Sequence, residues 1–213
     1  MATYDLDEQE RLDELKAWWK RWGSLLMMGL AVLLAAVAGW RYWQNHTVTQ
    51  SLEAAAVYEK LTQSLAANDV KGARDAGSML IDQYDGTAYA PRAALLLAKL
   101  NVAGKDLKSA QVQLEWAVAN GKEPAVKDLA RLRLAGVQFD QKQHDAALKT
   151  LASTHSDAFA PRFNDLRGDV LLAQGKQADA RSAYEAAFSK MQEDNPYRAI
   201  VELKLDAVGG ASK

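Results

Sequence analysis

The chain has 213 residues, with 26 Lys and Arg against 27 Asp and Glu, a formal net charge of −1, 49% hydrophobic residues and no cysteine. A balanced charge gives no global reason to hold a polyanion, which sets nucleic-acid binding aside; the absence of cysteine excludes disulfide frameworks, Cys-ligated zinc, iron–sulfur clusters and thiol catalysis. With 25% charged residues, 4 Pro and 13 Gly, the composition is that of a folded chain, neither disordered nor collagen-like.

Residues 1–21 read as a cytoplasmic N-terminal segment. Six acids stand between positions 5 and 14, and Arg11, Lys16, Lys20 and Arg21 precede the first long apolar run. Within 6–22, Leu12, Leu15, Trp18, Trp19 and Trp22 fall at helical spacing on one stripe. That stripe fits a helix lying on the inner membrane surface, or equally the solvated start of a membrane helix.

From Trp22 to Trp40 the chain runs for 19 residues without a charge. At about 1.5 Å per residue, about 20 apolar residues cross the hydrocarbon core, so 22–43 is the expected transmembrane helix. Trp18, Trp19, Trp22, Trp40, Trp43 and Tyr42 bound the run, as amphipathic rings do at the headgroup level. After the span Arg41 is the only cation until Lys60, so the excess of positive charge lies before it and points the N-terminus inward. Ala36-Val37-Ala38 before Gly39 offers the rival reading of a cleavable signal peptide, against which stand the length of the apolar run and the acidic leader. Ala31, Ala35 and Gly39, four apart, make a small-residue face on which another helix can approach closely.

Residues 44–213, expected beyond the membrane, carry 21 basic and 21 acidic residues. Apolar spacings of three and four in an Ala- and Leu-rich background predict an all-α fold. GKQADA at 175–180 and QKQHDA at 141–146 agree at four of six positions with an offset of 34, which Leu132-Arg133 and Leu166-Arg167 keep. That offset is the tetratricopeptide period, a helix hairpin that stacks into a solenoid. Gly168, Gly175, Ala180, Tyr184 and Ala187 follow the motif's small, turn, small, aromatic, small series; the preceding unit offers Leu134, Gln141, Ala146, Thr150 and Ser153. A third unit at 104–117 fits with an extra residue in its turn. The expected pairs are 51–67 with 70–84, 89–103 with 107–120, 125–140 with 143–153 and 159–174 with 177–190, closed by a capping helix at 196–208. The first helix of each pair lines the concave side of such a solenoid. Carrying the motif's inward positions onto the last two units points to Asp128, Arg131, Gln138, Arg162, Asp165 and Asp169 as partner-binding candidates, against the plainer reading of a solvated helix face.

Catalytic and cofactor signatures are missing. His46, His144 and His155 show no metal-ligand spacing, and no HExxH occurs. Gly168 and Gly175 before Lys176 lack phosphate-loop spacing, with Gln177 in place of the Ser or Thr that holds magnesium, and no GxSxG elbow is present. The chain therefore reads as a non-enzyme with no cofactor, metal or small-molecule substrate.

The order of these features resembles the bacterial ancillary SecYEG translocon subunit family: an acidic-then-basic N-terminus, a span closing on GWRYW at 39–43, then divergent hairpins with DAALKTL at 145–151 and the stretch from Asp165 to Phe188. The resemblance implies a single-pass type II inner-membrane protein whose periplasmic domain works beside the SecYEG channel. It further implies association with a membrane-anchored periplasmic chaperone of the parvulin isomerase type, a part in passing emerging polypeptides to chaperones, and a link to an envelope stress regulator. The residues independently describe a tethered repeat scaffold, which acts by raising the effective concentration of its partners at the membrane. A scaffold for another envelope assembly complex, or a signal-cleaved periplasmic repeat protein beginning at Gly39, are the competing readings.

Overall fold

The computed structural model describes residues 3–209, with side chains from 11 onward. Residues 1–2 of the N-terminal segment, the acidic side chains at 5–10 and residues 210–213 of the repeat domain lie outside the described residues. Among the described residues the secondary structure is helical throughout, the all-α class that the periodicity predicts. The helices are α1 (Thr3–Ala66), α2 (Val70–Gln83), α3 (Tyr89–Ala103), α4 (Leu107–Asn120), α5 (Pro124–Asp140), α6 (His144–Leu151), α7 (Ala160–Ala173), α8 (Gln177–Ser189) and α9 (Arg198–Ala207). The chain divides into two compact units, 1–50 and 51–213.

The described part of the first unit is helix. The described part of 6–22 is the beginning of α1 itself, with no break before the apolar run. Leu25, Met28, Val32 and Leu33 are all more than half exposed, so the apolar surface faces outward and encloses no core. A helix this long and apolar can cross a membrane by length and composition. Its backbone needs nothing from the surroundings, since every interior amide is bonded along the helix, and outward Leu and Met side chains are the groups that lipid solvates.

The second unit is a row of helix pairs. One apolar cluster joins Ala54 and Leu61 of α1 to Ala73, Ala76 and Leu80 of α2 and Ala93 of α3. The next takes Ala94 and Ala98 of α3, Leu114 of α4 and Leu134 of α5. A third holds Ala135, Leu151 and Phe163 from α5, α6 and α7, and the last gathers Leu171, Tyr184 and Val201 from α7, α8 and α9. Each cluster borrows a face from the following pair, so no hairpin buries its own apolar surface without its neighbour.

Within each pair the connection is identical. The three-residue turns 67–69, 104–106, 141–143 and 174–176 each place their middle residue in the left-handed region: Asn68 (φ 55), Lys105 (φ 61), Lys142 (φ 61) and Gly175 (φ 76). The backbone bonds match as well: the amides of Asp69, Asp106, Gln143 and Lys176 donate back to the carbonyls of Ser64, Asn101, Gln138 and Leu171 at 2.8–3.0 Å, closing the end of the first helix. Asp69 and Asp106 then cap the second helix by accepting from the amides of Gly72 and Ser109. Gln143 and Lys176 occupy the same place without a capping bond.

Candidate functional site

These turns set the true register of the repeat. The left-handed residues recur at 68, 105, 142 and 175, intervals of 37, 37 and 33. Aligned on them, Leu61, Ala98, Ala135 and Gly168 occupy one buried position in the first helices, and Ala73, Ala110, Ala147 and Ala180 one fully buried position in the second. The interval of 34 is therefore one residue too long for the last two units. Ala135, Lys142, Ala147 and Leu151 stand where Leu134, Gln141, Ala146 and Thr150 were expected. The turn at 104–106 likewise holds no extra residue, because Lys105 and not Gly104 takes the left-handed place. Short polar matches such as KQ.DA mark turn chemistry, which slides by one residue at little cost; buried side chains cannot, because one residue turns a helix by about 100°.

That rotation decides where the six concave-face candidates lie. Asp128 and Gln138 are buried, at 2% and 6% exposure, and neither lines the clefts described below. Asp128 accepts from the amide and hydroxyl of Ser156, both at 2.9 Å, and from Arg131 at 3.1 Å. Arg131 also donates to the Thr154 carbonyl, and Thr150 donates to Gln138. These three residues pin α6 and the loop before α7 onto α5. Burial alone would push the Asp128 carboxyl up, but the Ser156 and Arg131 donors outweigh it and hold it below its ordinary value.

The other three candidates meet in one place. Asp165, 3% exposed, accepts from the Tyr197 hydroxyl and from Lys204 Nζ, both at 2.8 Å. Lys204 reaches Asp169 at the same distance, and Asp169 also accepts from the Tyr184 hydroxyl at 2.9 Å. The Arg162 guanidinium lies 3.9 Å over the Tyr197 ring. The network fastens α9 across α7 and α8. Burial favours neutral Lys204, but the two carboxylates prevail and raise its pKa above the ordinary value; burial and the bond to Asp165 raise that of Tyr197. Tyr184 lies flat on Gly168, where no Cβ fits beside its ring.

Two clefts open along this side of the second unit. One, about 440 Å³, is lined by Leu129, Leu132, Leu166, Arg162, Asp165, Asp169 and Tyr197; the other, about 330 Å³, by Ala98, Lys99, Val102, Leu114, Val137 and Asp140. Arg133 and Gly136 belong to both, so the clefts adjoin. In the corrected register Leu129, Leu132 and Gly136 are the equivalents of Arg162, Asp165 and Asp169. Their sequence signal was the apolar i, i+3 pair on α5, which reads as ordinary core.

Ala31, Ala35 and Gly39 are exposed on α1, and a Cβ on Gly39 would meet nothing within 4 Å. His46 stacks on Tyr42, His144 meets the edge of Phe139, and His155 stacks on Phe163, so each ring packs against an aromatic neighbour. Among the described residues no group of three or more His, Asp or Glu is placed to hold a metal ion.

Comparison with known proteins agrees with this geometry. The family model of the tetratricopeptide repeat-like domain matches residues 16–210. The chain is 32% identical over 209 residues to the ancillary SecYEG translocon subunit of Neisseria gonorrhoeae, covering 98% of this chain and 100% of that protein. It is 32% identical over 186 residues to the subunit of the same name from Escherichia coli, covering 87% and 89%, and 32% identical over 185 residues to that of Aggregatibacter actinomycetemcomitans, covering 87% and 90%. The chain belongs to the family of ancillary SecYEG translocon subunits and carries its tetratricopeptide repeat-like domain.

Proposed function

We propose that this protein is a non-catalytic scaffold of the bacterial inner membrane, which associates with the SecYEG translocon and links it to a periplasmic chaperone of the membrane-anchored parvulin type during export. Residues 22–43 span the membrane with the N-terminus in the cytoplasm, and 44–213 work on the periplasmic side. The observation that carries the reading is the match with the Neisseria gonorrhoeae subunit over 98% of the chain, which takes in the apolar helix as well as the repeats. The outward apolar surface of α1 and the excess of cations before it support the topology. Tethering supplies the mechanism: a docking domain held at the membrane raises the local concentration of whatever it binds beside the channel.

The small-residue face Ala31, Ala35 and Gly39 is the proposed contact with a partner helix. Affinity purification of the full chain from its own membranes in mild detergent tests both statements. The expected result is an intact mass including residue 1, with the channel and the chaperone co-purifying, and loss of the channel in the Ala35→Leu plus Gly39→Leu variant. Those leucines leave the helix itself undisturbed, since Gly39 has open space around its Cβ position. A mass beginning at Gly39 overturns the anchor, a partner set without the channel overturns the translocon reading, and unchanged recovery of the channel with the double variant overturns the small-residue contact.

A further inference from the structure

We propose that the paired clefts along α3, α5 and α7 dock an acidic segment of a partner protein that carries leucine-like side chains, with Arg133 as the central cation and Gly136 as the passage for an apolar group.

The charges supply the first reason. Asp165 and Asp169 are held by Lys204 at 2.8 Å, so the clefts' own carboxylates are engaged, apart from the exposed Asp140 at the rim. Lys99, Arg133 and Arg162 have no carboxylate at ion-pair distance among the described residues. Arg133 is the telling one. Its guanidinium is partly buried and donates to the Leu95 carbonyl at 3.3 Å, and burial lowers its pKa. A desolvated cation is ordinarily paired with an anion, because desolvation is repaid only by a close counter-charge. Here none is supplied by the described residues.

Gly136 is the second reason. It lies inside α5, where glycine costs about 1 kcal/mol relative to alanine, yet a Cβ there would meet nothing within 4 Å. No packing requires it. Its consequence is spatial: it lines both clefts and leaves open the passage between them. The two volumes, about 330 and 440 Å³, are of the size that receives ligand groups (about 300–1,000 Å³), and Leu132, Leu166, Val102 and Leu114 give them apolar walls. Apolar walls beneath unpaired cations complement a segment in which acids flank branched side chains.

The inference deepens the reading of this domain as a docking scaffold. Its test is independent of the channel. The full chain, in nanodiscs of zwitterionic lipid, is titrated against a fluorescent helical peptide of about 15 residues built from Glu and Leu, and against its Lys-for-Glu counterpart, with empty discs as the blank. The Glu peptide is expected to bind about tenfold or more tightly than the Lys peptide, and Gly136→Leu to abolish that preference while the melting temperature stays level or rises. Arg133→Gln should weaken the Glu peptide selectively. Equal affinity for the two peptides, or undiminished binding by Gly136→Leu, overturns the proposal. The exposed side of α9, with Ile200, Glu202, Leu203 and Asp206, is itself an acidic apolar segment. Sedimentation therefore accompanies the titration, and self-association lost in Gly136→Leu would assign the clefts to a second copy and overturn a separate partner. Channel co-purification with peptide discrimination absent would sink this inference alone, whereas the reverse would sink the translocon reading and leave the clefts assigned.

Discussion

Three glycines of the repeat domain carry three different physical situations, and alanine is expected to destabilise at two of them and to stabilise at the third. At Gly168 a Cβ would run into the Tyr184 ring, with Cδ1 at 2.6 Å, and Tyr184 is buried at 1% exposure with nowhere to swing. Overpacking of that kind costs about 1–3 kcal/mol and exceeds the gain in helix propensity of about 1 kcal/mol. At Gly175 nothing is near, but φ is +76, so a side chain costs about 1–2 kcal/mol through the backbone alone. Gly136 has neither constraint and should gain about 0.5–1 kcal/mol as alanine. Thermal denaturation of the three single variants checks the order: Gly168→Ala and Gly175→Ala below the parent, Gly136→Ala above it. Gly168 and Gly175 were legible in the sequence because the motif names them; Gly136 was not, because its meaning lies in the space around it.

At the scale of elements, the α6–α7 loop is tied to α5 through Asp128, and the tie is sensitive to acid. The Asp128 carboxyl is held below its ordinary 3.8 in the folded protein. Its contribution is therefore complete above that value and disappears as pH falls through the lower folded value. Asp128→Asn should cost about 1–3 kcal/mol at neutral pH, by weakening charged bonds to the Ser156 amide and hydroxyl. The deficit relative to the parent should shrink as the pH is taken below about 4; urea melts of the full chain in detergent at neutral and acid pH measure it, and a gap unchanged by acid would refute this account. From α2 onward the helices were predicted to within a few residues, from Gly, Pro, Asn and Asp at the breaks, whereas the separate helices expected at 22–43 and 51–67 belong to the single helix α1. The faces they present were not: Asp128 and Gln138 were expected on a binding surface and are buried against neighbouring structure. A one-residue slip in the repeat interval accounts for that difference.

For the whole molecule, stability belongs to neighbouring pairs jointly. Ala130, Leu134 and Val137 of α5 share their cluster with Leu114 of α4 and Ala94 and Ala98 of α3. Removing 88–123 would strip one side from that cluster and from the one around Leu61 and Ala93. The expected outcome is loss of cooperative unfolding by circular dichroism, with hydrogen exchange accelerated in α5 and α2 while α8 and α9 lose least. A deletion variant that still melts in one sharp transition would show that the remaining pairs couple without α3 and α4, and would overturn this account.

The sequence by itself determined the class of fold, the place of the breaks, the apolar helix and the family, because these depend on composition and short-range periodicity that every helix writes into its own residues. The interval between repeats and the side of each helix that meets a cleft were decided by the tertiary structure. They are set by which small residues lie under their neighbours, as Gly168 does under Tyr184, and by which buried cation meets a carbonyl in place of a carboxylate among the described residues, as Arg133 meets that of Leu95. Such relations join residues distant in the chain and exist only once the pairs have stacked.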